Sequence, residues 1–302
     1  MRRVALKVDC DTYVGTRDGI PRLLEILGAR KIRATFFFTF GPDRSGVAAR
    51  RFFTTPGFLQ KMLRSGAASL YGFPTVLYGT LLPAPVIGEK CGDAIRSVVQ
   101  AGHETGVHAW DHVAWHDHLD RWPEEKIAEQ NGFAHAAYER ILGKPAAASA
   151  AAGWAANARS LAIEEGRNLL YTSNSRLGAP FFPKSNGRIF RTLEIPTTLA
   201  TLDETLSWPQ VKGDESQRRF FREAPGGTQV HTVHTEVEGR SKADLFQRIL
   251  DDWIADGTSF VLLSQLAREA LSRREEVPVR DLAWARLPGR GGTVASGWAE
   301  AG

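Results

Sequence analysis

The fold of this chain is indicated first by the stretch VALKVDCD, residues 4–11. Its apolar residues Val4, Leu6 and Val8 recur at every second position, which is typical of a β-strand. The apolar residues between 20 and 27 then recur at helical spacing, and the apolar run Ile32–Phe40 predicts a second, buried strand. Strand, helix and strand form a βαβ unit. We therefore expect an α/β fold with a largely parallel sheet.

Two carboxylates end the first predicted strand. Asp9 and Asp11 are two residues apart, so in an extended chain they face the same side, and Cys10 faces the other. Asp-x-Asp is also common in loops, where the side chains accept hydrogen bonds from nearby backbone N–H groups. The pair by itself therefore leaves both a metal site and an ordinary loop open.

A second pair of polar residues follows the predicted strand 104–107, in the stretch HAWDH. His108 and His112 are four residues apart, so both imidazoles can face one ion. The metalloprotease motif is excluded, because Ala109 stands where that motif needs glutamate. The carboxyl ends of parallel strands meet at one edge of the sheet, where active sites of α/β proteins lie. Both pairs fall at that edge, which predicts a metal site.

Length and composition fit one large α/β domain or two small ones. The 302 residues are 43% hydrophobic and 24% charged, as in soluble globular proteins. The two cysteines, Cys10 and Cys91, offer no disulfide framework and favour a reducing compartment. Charged residues at 7, 9 and 11 interrupt any apolar signal segment. The net charge of +4 suits an anionic membrane or a phosphorylated substrate as well as nucleic acid.

No P-loop, complete G-x-G-x-x-G or G-x-S-x-G motif occurs, which disfavours kinase-type, dinucleotide-dependent and serine-hydrolase functions. Further helices are predicted at 94–100, 124–142 and 244–254. Further strands are predicted at 146–152, 169–172, 189–195, 229–233 and 260–263.

Residues 65–88 contain no charged residue, although many are apolar. Several glycines and prolines argue against one membrane-spanning helix. The cations just upstream, at 50, 51, 61 and 64, favour a segment that lies on a membrane surface; packing against the domain or a partner subunit is the alternative. We therefore expect a catalytic barrel over 1–270 with an apolar insertion at 50–90. The Arg-, Gly- and Pro-rich residues 271–302 predict a mobile tail.

The order Asp9-x-Asp11, His108-x-x-x-His112 and a late strand ending in His234 resembles the polysaccharide deacetylase family. The resemblance runs from about residue 4 to 266. It implies a single-domain distorted parallel (β/α) barrel of about seven strands. It also implies that Asp11, His108 and His112 hold one divalent ion, for which zinc, cobalt, manganese and iron are all acceptable. Asp9 would be the general base and His234 the general acid.

Local phrases narrow the resemblance to one branch, the deformylases of a formamido sugar carried on a polyprenyl phosphate. They include PRLLEIL at 21–27, AASLYG at 67–72 and SAAAGW at 149–154. In that branch the substrate-binding or supporting residues would be Thr12, Arg17, Trp154, Arg176 and Glu236.

The chain departs from the family pattern at two places. The stretch 149–153 lacks the arginine that orients the base in many deacetylases; Arg176 is a candidate replacement, and a surface cation is the alternative. Asn174 stands where an aspartate is expected to support His234. His116 and His118 follow the metal pair, and we expect both to be solvated surface residues.

The resemblance implies a metal-dependent amidohydrolase that removes the formyl group from undecaprenyl phosphate-linked 4-deoxy-4-formamido-L-arabinose. This step belongs to the aminoarabinose modification of lipid A and to polymyxin resistance. The implied partners are the polyprenyl-phosphate-linked sugar and a membrane surface, not nucleic acid. The expected location is cytoplasmic, on the inner face of the inner membrane. The alternatives are a deacetylase of another amino sugar or polysaccharide and a non-catalytic glycolipid-binding relative.

Overall fold

The computed structural model describes residues 2–48, 75–290 and 292–298. Its strands are β1 Arg2–Cys10, β2 Thr35–Thr39, β3 Glu104–Ala109, β4 Ala148–Ser149, β5 Tyr171–Thr172, β6 Phe182–Ser185, β7 Arg188–Ile189, β8 Leu193–Glu194, β9 Gly227–His234, β10 Ser259–Val261, β11 Val279–Asp281, β12 Ala283–Ala285 and β13 Val294–Ser296. Its α-helices are α1 Ile20–Ala29, α2 Ile87–Lys90, α3 Gly92–Gln100, α4 His112–His118, α5 Glu124–Leu142, α6 Ala158–Glu165, α7 Leu202–Leu206, α8 Asp214–Arg222, α9 Ala243–Ala255 and α10 Leu263–Ser272.

The central sheet is parallel and curves into a barrel. Strands β10, β1, β2, β3, β4, β5 and β8 follow one another, and β9 also pairs with β1. Because β9 runs along the whole of β1, the shorter β10 and β2 share the other edge of β1. The chain after β8 reaches β9, where Thr198 N donates to the Val230 carbonyl at 3.0 Å. These pairings confirm the predicted parallel barrel.

The two faces of β1 contribute to two separate cores. Val4, Leu6 and Val8 point outward and pack with the helices that surround the barrel. Ala5 points inward and packs with Phe37 and other residues of the barrel interior. The period-two pattern of the strand therefore divides β1 between both cores. Lys7 and Asp9 follow Ala5 on the inward face, so this strand places two polar side chains inside the barrel.

Predicted helices match the structure more closely than predicted strands. The long helix α5 has the predicted bounds 124–142, and α9 extends the predicted 244–254 by one residue at each end. The predicted strand 146–152 shortens to Ala148–Ser149, and the predicted strand 189–195 divides into β7 and β8. Strand length depends on partners elsewhere in the chain, whereas a helix makes its hydrogen bonds within itself.

Residues 279–298, which belong to the predicted mobile tail, form paired strands as far as the structure describes them. Strand β11 pairs with β6, and β12 pairs with β13 in an antiparallel hairpin. Val294 and Ala295 are fully buried, and Arg176 N donates to the Ala295 carbonyl at 2.9 Å. Three-residue strands leave too short a pattern to recognise in a sequence, and here tertiary partners stabilise them. Residues 291 and 299–302 lie outside the described part.

Much of the predicted insertion at 50–90 lies outside the described residues, including every cation proposed to flank it. In its described part, Leu81 is 81% exposed and Leu82 is 39% exposed. Within residues 2–48, 75–290 and 292–298, the helices are all too short or too polar to cross a bilayer.

Candidate active site

The site lies at the carboxyl ends of β1, β3 and β9. Asp9 on β1 is the register partner of His234 on β9. In neighbouring parallel strands, residues in register project on the same face, so these two side chains point into the barrel mouth together. His108 is the penultimate residue of β3, and His112 begins α4. The structure thus brings both sequence motifs to one edge, as predicted.

Asp11, His108 and His112 offer a three-ligand metal site. One ligand atom from each residue lies within 4.8 Å of the others. Nε2 of His108 is 3.1 Å from Asp11 Oδ1, and Nε2 of His112 is 3.5 Å from Asp11 Oδ2. The His108 side chain is 1% exposed, whereas His112 is 24% exposed. Three protein ligands with one side open to solvent are typical of a catalytic metal site.

The protonation states of two of these residues suit metal binding. Burial opposes the ionised form of Asp11, but the His112 and His108 imidazoles outweigh it and hold the pKa of Asp11 below its ordinary range. Burial lowers the pKa of His112 to about 4, against the raising effect of Asp11. An ionised carboxylate and a neutral imidazole are the forms that bind a divalent cation. The donor set therefore fits such an ion.

Asp9 is held by its own strand. Lys7 Nζ lies 2.6 Å from Asp9 Oδ2, and the Lys7 and Asp9 side chains are 0% and 3% exposed. The other carboxylate oxygen, Oδ1, accepts no hydrogen bond from the described residues. Lys7 thus fixes the orientation of Asp9 and leaves one oxygen available to take a proton.

His234 is supported by Asp203, at the start of α7. Nδ1 of His234 lies 3.1 Å from Asp203 Oδ1, and its backbone N–H donates to Glu238 Oε2 at 2.9 Å. Burial disfavours the imidazolium, yet the adjacent Asp203 carboxylate prevails and raises the pKa of His234 well above its ordinary value. His234 is therefore held in the form that can donate a proton.

Trp154 is a buried aromatic residue that contacts both Lys7 and His234. Its ring centre lies 5.0 Å from Lys7 Nζ, 4.5 Å from Arg176 Cζ and 4.4 Å from Arg290 Cζ. The His234 ring meets it edge-on at 6.2 Å. Trp154 has a φ of 54°, a left-handed conformation that is costly for a bulky side chain. The structure holds it there through three cation–π contacts and a 3.2 Å hydrogen bond from Nε1 to Thr197 Oγ1.

Thr12 and Glu236 bind one another. Glu236 Oε1 accepts hydrogen bonds from Thr12 N at 2.8 Å and from Thr12 Oγ1 at 2.7 Å. Burial, helped by the charge of Asp11, raises the pKa of Glu236 to about 7. These contacts tie the loop after β1 to the loop after β9. Arg17 is half-exposed and pairs with Asp18 at 2.6 Å.

Arg176 does not replace the arginine that is missing from the stretch 149–153. It is buried, and its guanidinium forms a bidentate pair with Glu204 at 2.7 and 3.1 Å. Lys7 makes the contact to Asp9 that the family pattern assigns to that arginine. Asn174 donates a hydrogen bond to Glu164 Oε2 at 2.6 Å. The carboxylate that supports His234 is instead that of Asp203. The two supporting contacts thus come from Lys7 and Asp203, and not from the stretch 149–153 or from Asn174.

The two later histidines lie on α4 beyond the metal pair. His116 Nδ1 is 3.0 Å from Asp117 Oδ1, and His118 Nδ1 is 2.9 Å from Arg121 Nη2. His116 is 39% exposed and also packs against Gly153, where an added Cβ would lie 2.2 Å from its ring. Neither residue belongs to the cluster of metal-ligand atoms.

The sequence reading missed Lys7, Asp203 and Arg290. A signal for Lys7 was present, because a residue two positions before Asp9 must share its strand face. Asp203 had a weaker signal, its place inside the capping box formed by Thr201 and Glu204. Arg290 had none, because its position depends on how the C-terminal hairpin packs.

A parallel barrel that carries an Asp-His-His cluster, a second carboxylate and a protonated histidine at its rim defines a metal-dependent hydrolase. Residues 2–166 match the family model of polysaccharide deacetylases. The chain therefore belongs to the polysaccharide deacetylase family.

Two relatives are similar over most of the chain. One is the probable 4-deoxy-4-formamido-L-arabinose-phosphoundecaprenol deformylase ArnD of Shewanella sediminis, 37% identical over 265 residues, with 87% of this chain and 85% of that protein covered. The probable deformylase ArnD of Wigglesworthia glossinidia brevipalpis is 32% identical, with 93% and 98% covered.

Solved structures share the fold at lower identity. A protein of Mycobacterium smegmatis assigned to the polysaccharide deacetylases superposes with a TM-score of 0.64 at 17% identity, covering 94% of both chains. Puue allantoinase superposes with a TM-score of 0.57 at 16% identity, covering 89% of this chain and 90% of its own.

Proposed function

We propose that this protein is a metal-dependent deformylase that hydrolyses the formamide of 4-deoxy-4-formamido-L-arabinose linked to undecaprenyl phosphate. The observation that carries the proposal is the arrangement of Asp9 and His234, in register on neighbouring strands beside the cluster Asp11, His108 and His112. Amide hydrolysis needs a base for water and an acid for the leaving amine. This site has one of each.

On the base side, Asp9 takes the proton of the attacking water through its free oxygen Oδ1. Lys7 holds the other oxygen at 2.6 Å, so the carboxylate does not rotate away from the water. Asp11, His108 and His112 would hold a divalent ion, which would supply Lewis-acid polarisation of the formamide carbonyl. The formamide is a poor electrophile, which is why the site needs both the base and that polarisation.

On the acid side, His234 gives a proton to the amine as the C–N bond breaks. Asp203, 3.1 Å from Nδ1, keeps the ring protonated and leaves Nε2 to face the substrate. Formate and the free amino sugar are the products. Trp154, edge-on to His234, forms an apolar wall that excludes bulk water from this side.

The sugar and the acyl group are proposed from the two deformylase relatives, which are similar over most of the chain. On the same basis we propose a role in aminoarabinose modification of lipid A and in resistance to polymyxin. The test is release of formate or acetate from synthetic glycolipids carrying either acyl group, with and without a chelator. We expect formate release that the chelator abolishes.

Each other outcome contradicts a different part of the proposal. Faster acetate release than formate release would replace the deformylase with a deacetylase. Release of neither product by metal-loaded protein would leave a glycolipid-binding relative without catalysis. Chelator-resistant formate release would contradict the metal dependence.

We also propose that the protein reaches its lipid-linked substrate from the cytoplasmic face of the membrane. Leu81 and Leu82 are exposed, and Arg44 lines the same surface cavity of about 620 Å³. Exposed aliphatic side chains beside a cation suit the headgroup region of an anionic bilayer. Leu81→Glu together with Leu82→Glu should weaken flotation with anionic vesicles. Exposed Ile254→Glu, on α9, is the matched control, and equal flotation of both variants would contradict the docking surface.

A further inference from the structure

The C-terminal hairpin places an incompletely paired arginine beside the site. Arg290 lies between β12 and β13, and its side chain is 17% exposed. Its polar contacts are long: Nη1 lies 3.5 Å from Glu204 Oε1, and Nη2 donates to the Gly153 carbonyl at 3.5 Å. Its Nε makes no hydrogen bond with the described residues. A guanidinium has five N–H donors, so most of those of Arg290 lack a close acceptor.

The nearby carboxylates form ion pairs with other cations. Both Glu204 oxygens accept hydrogen bonds from Arg176, at 2.7 and 3.1 Å, and Asp203 pairs with His234. Lys7 pairs with Asp9. Among the described residues that contact Trp154 and their ion-pair partners, Arg290 is therefore the one cation without a close carboxylate of its own. Burial lowers the pKa of Arg290 despite the opposing charges of Glu204 and Asp203, as expected for an under-compensated cation.

Arg290 also lies at a suitable place for the substrate. Its Cζ is 4.4 Å from the Trp154 ring centre, and the His234 ring is 6.2 Å from the same centre. The general acid and this cation thus both contact the same indole. In the proposed substrate, the formamide and the phosphate sit on opposite carbons of one sugar ring. A formamide at His234 leaves the phosphate on the far side of the sugar.

We propose that Arg290 binds the phosphodiester that joins the sugar to its lipid. A phosphodiester carries one negative charge. The described residues that contact Trp154, counted together with their ion-pair partners, carry one uncompensated positive charge. Arginine binds phosphoryl oxygens with paired N–H donors, and stacking on Trp154 holds the guanidinium plane in place. This inference rests on the proposed function for the identity of the ligand. The anion-binding property itself rests on Arg290 and its contacts.

The test compares two soluble ligands and one ion. The first ligand is the formamido sugar with a short-chain prenyl phosphodiester, the second is its phosphate-free methyl glycoside, and the ion is inorganic phosphate. Binding is measured by calorimetry on the metal-loaded Asp9→Asn protein, and KM and kcat are measured on the active protein. The variants are Arg290→Gln, Arg290→Lys and Arg286→Gln, where Arg286 is an exposed arginine of the same segment.

Arg290→Gln should weaken binding of the phosphodiester sugar and raise its KM roughly ten- to a hundredfold, the loss expected for one charge-assisted pair. Binding of the methyl glycoside and kcat should stay within about twofold. Arg290→Lys should lose less than Arg290→Gln, because the charge remains. Arg286→Gln should behave as the unsubstituted protein.

Three outcomes overturn the inference. Unchanged phosphodiester binding in Arg290→Gln shows that Arg290 does not contact the phosphate. Equal losses for both sugars, with a lowered Tm, show a structural role. Arg290-dependent binding of inorganic phosphate, without any preference for the phosphodiester sugar, shows an adventitious anion site. If both sugars bind but neither is hydrolysed, the proposed function fails, and the binding measurements still decide the role of Arg290.

Discussion

The two sides of the site are assembled in different ways. The metal side takes Asp9, Asp11, His108 and His112 from the first 118 residues, where each pair lies within one short motif. The acid side takes His234 and Asp203 from separate elements, and the family match, which covers residues 2–166, does not include them. The metal side depends on local spacing, and the acid side depends on closure of the barrel.

The supporting contacts differ in the same way. Lys7 orients Asp9 from two residues away on the same strand. Asp203 reaches His234 across 31 positions of sequence, between α7 and the end of β9. Substitutions on the metal side should therefore abolish either metal binding or general-base catalysis. Substitutions on the acid side should change the pH at which the enzyme works and leave the metal in place.

The largest effect should come from His108→Ala. This change removes a buried ligand of the proposed metal site, so we expect loss of bound metal and a fall in kcat of at least about 10⁴-fold. Metal content by elemental analysis and formate release measure the two effects. His118→Ala, on the same helix as His112 but outside the ligand cluster, is the control. Full metal occupancy in His108→Ala would show that the cluster is not the metal site.

Asp9→Asn should separate catalysis from metal binding. The amide keeps the shape of the carboxylate but is too weak a base, so kcat should fall about 10³-fold. Metal content should stay at the level of the unsubstituted protein, because Asp9 is not in the ligand cluster. Retained turnover would exclude Asp9 as the base and leave that role to another group.

Lys7→Met should have a smaller effect on rate. Methionine fills the space without holding Asp9 Oδ2, and a misplaced base should lower kcat by about 10²-fold. An unpaired buried carboxylate should also destabilise the fold by about 3–5 kcal/mol. Adding Asp9→Asn removes that charge and should recover part of the stability in denaturant unfolding. No recovery in the double variant would contradict a direct Lys7–Asp9 pair.

Asp203→Asn should have the smallest effect on rate and a distinct effect on pH dependence. Asp203 raises the pKa of His234, so its neutralisation lowers that pKa. The general acid is active only while protonated, so the alkaline limb of the kcat/KM profile should move to lower pH. At neutral pH we expect roughly a tenfold loss, with metal content unchanged. An alkaline limb at the same pH would show that another group is the acid.

Much of the architecture could be predicted from the sequence. Regular spacing identified the βαβ unit and helix α5, because those patterns reflect contacts within one or two elements. The positions of Asp9 and His108 at strand ends followed from the same patterns. The strands of the C-terminal tail could not be predicted from such patterns. These strands are three residues long, and tertiary partners stabilise them: β11 pairs with β6, β12 pairs with β13, and Arg176 N donates to the Ala295 carbonyl.

The sequence by itself determined the parallel barrel, the edge that carries the site and the residues proposed as metal ligands, base and acid. Short-range periodicity placed the pairs Asp9, Asp11 and His108, His112 at strand ends on one edge, and the resemblance to the polysaccharide deacetylases implied which residue would be ligand, base or acid. Only the tertiary structure decided what supports them: Lys7 beside Asp9, Asp203 beside His234, and Arg290 over Trp154. Most of these partners are far apart in the chain. Their charges became neighbours when the barrel closed and the C-terminal hairpin packed against it.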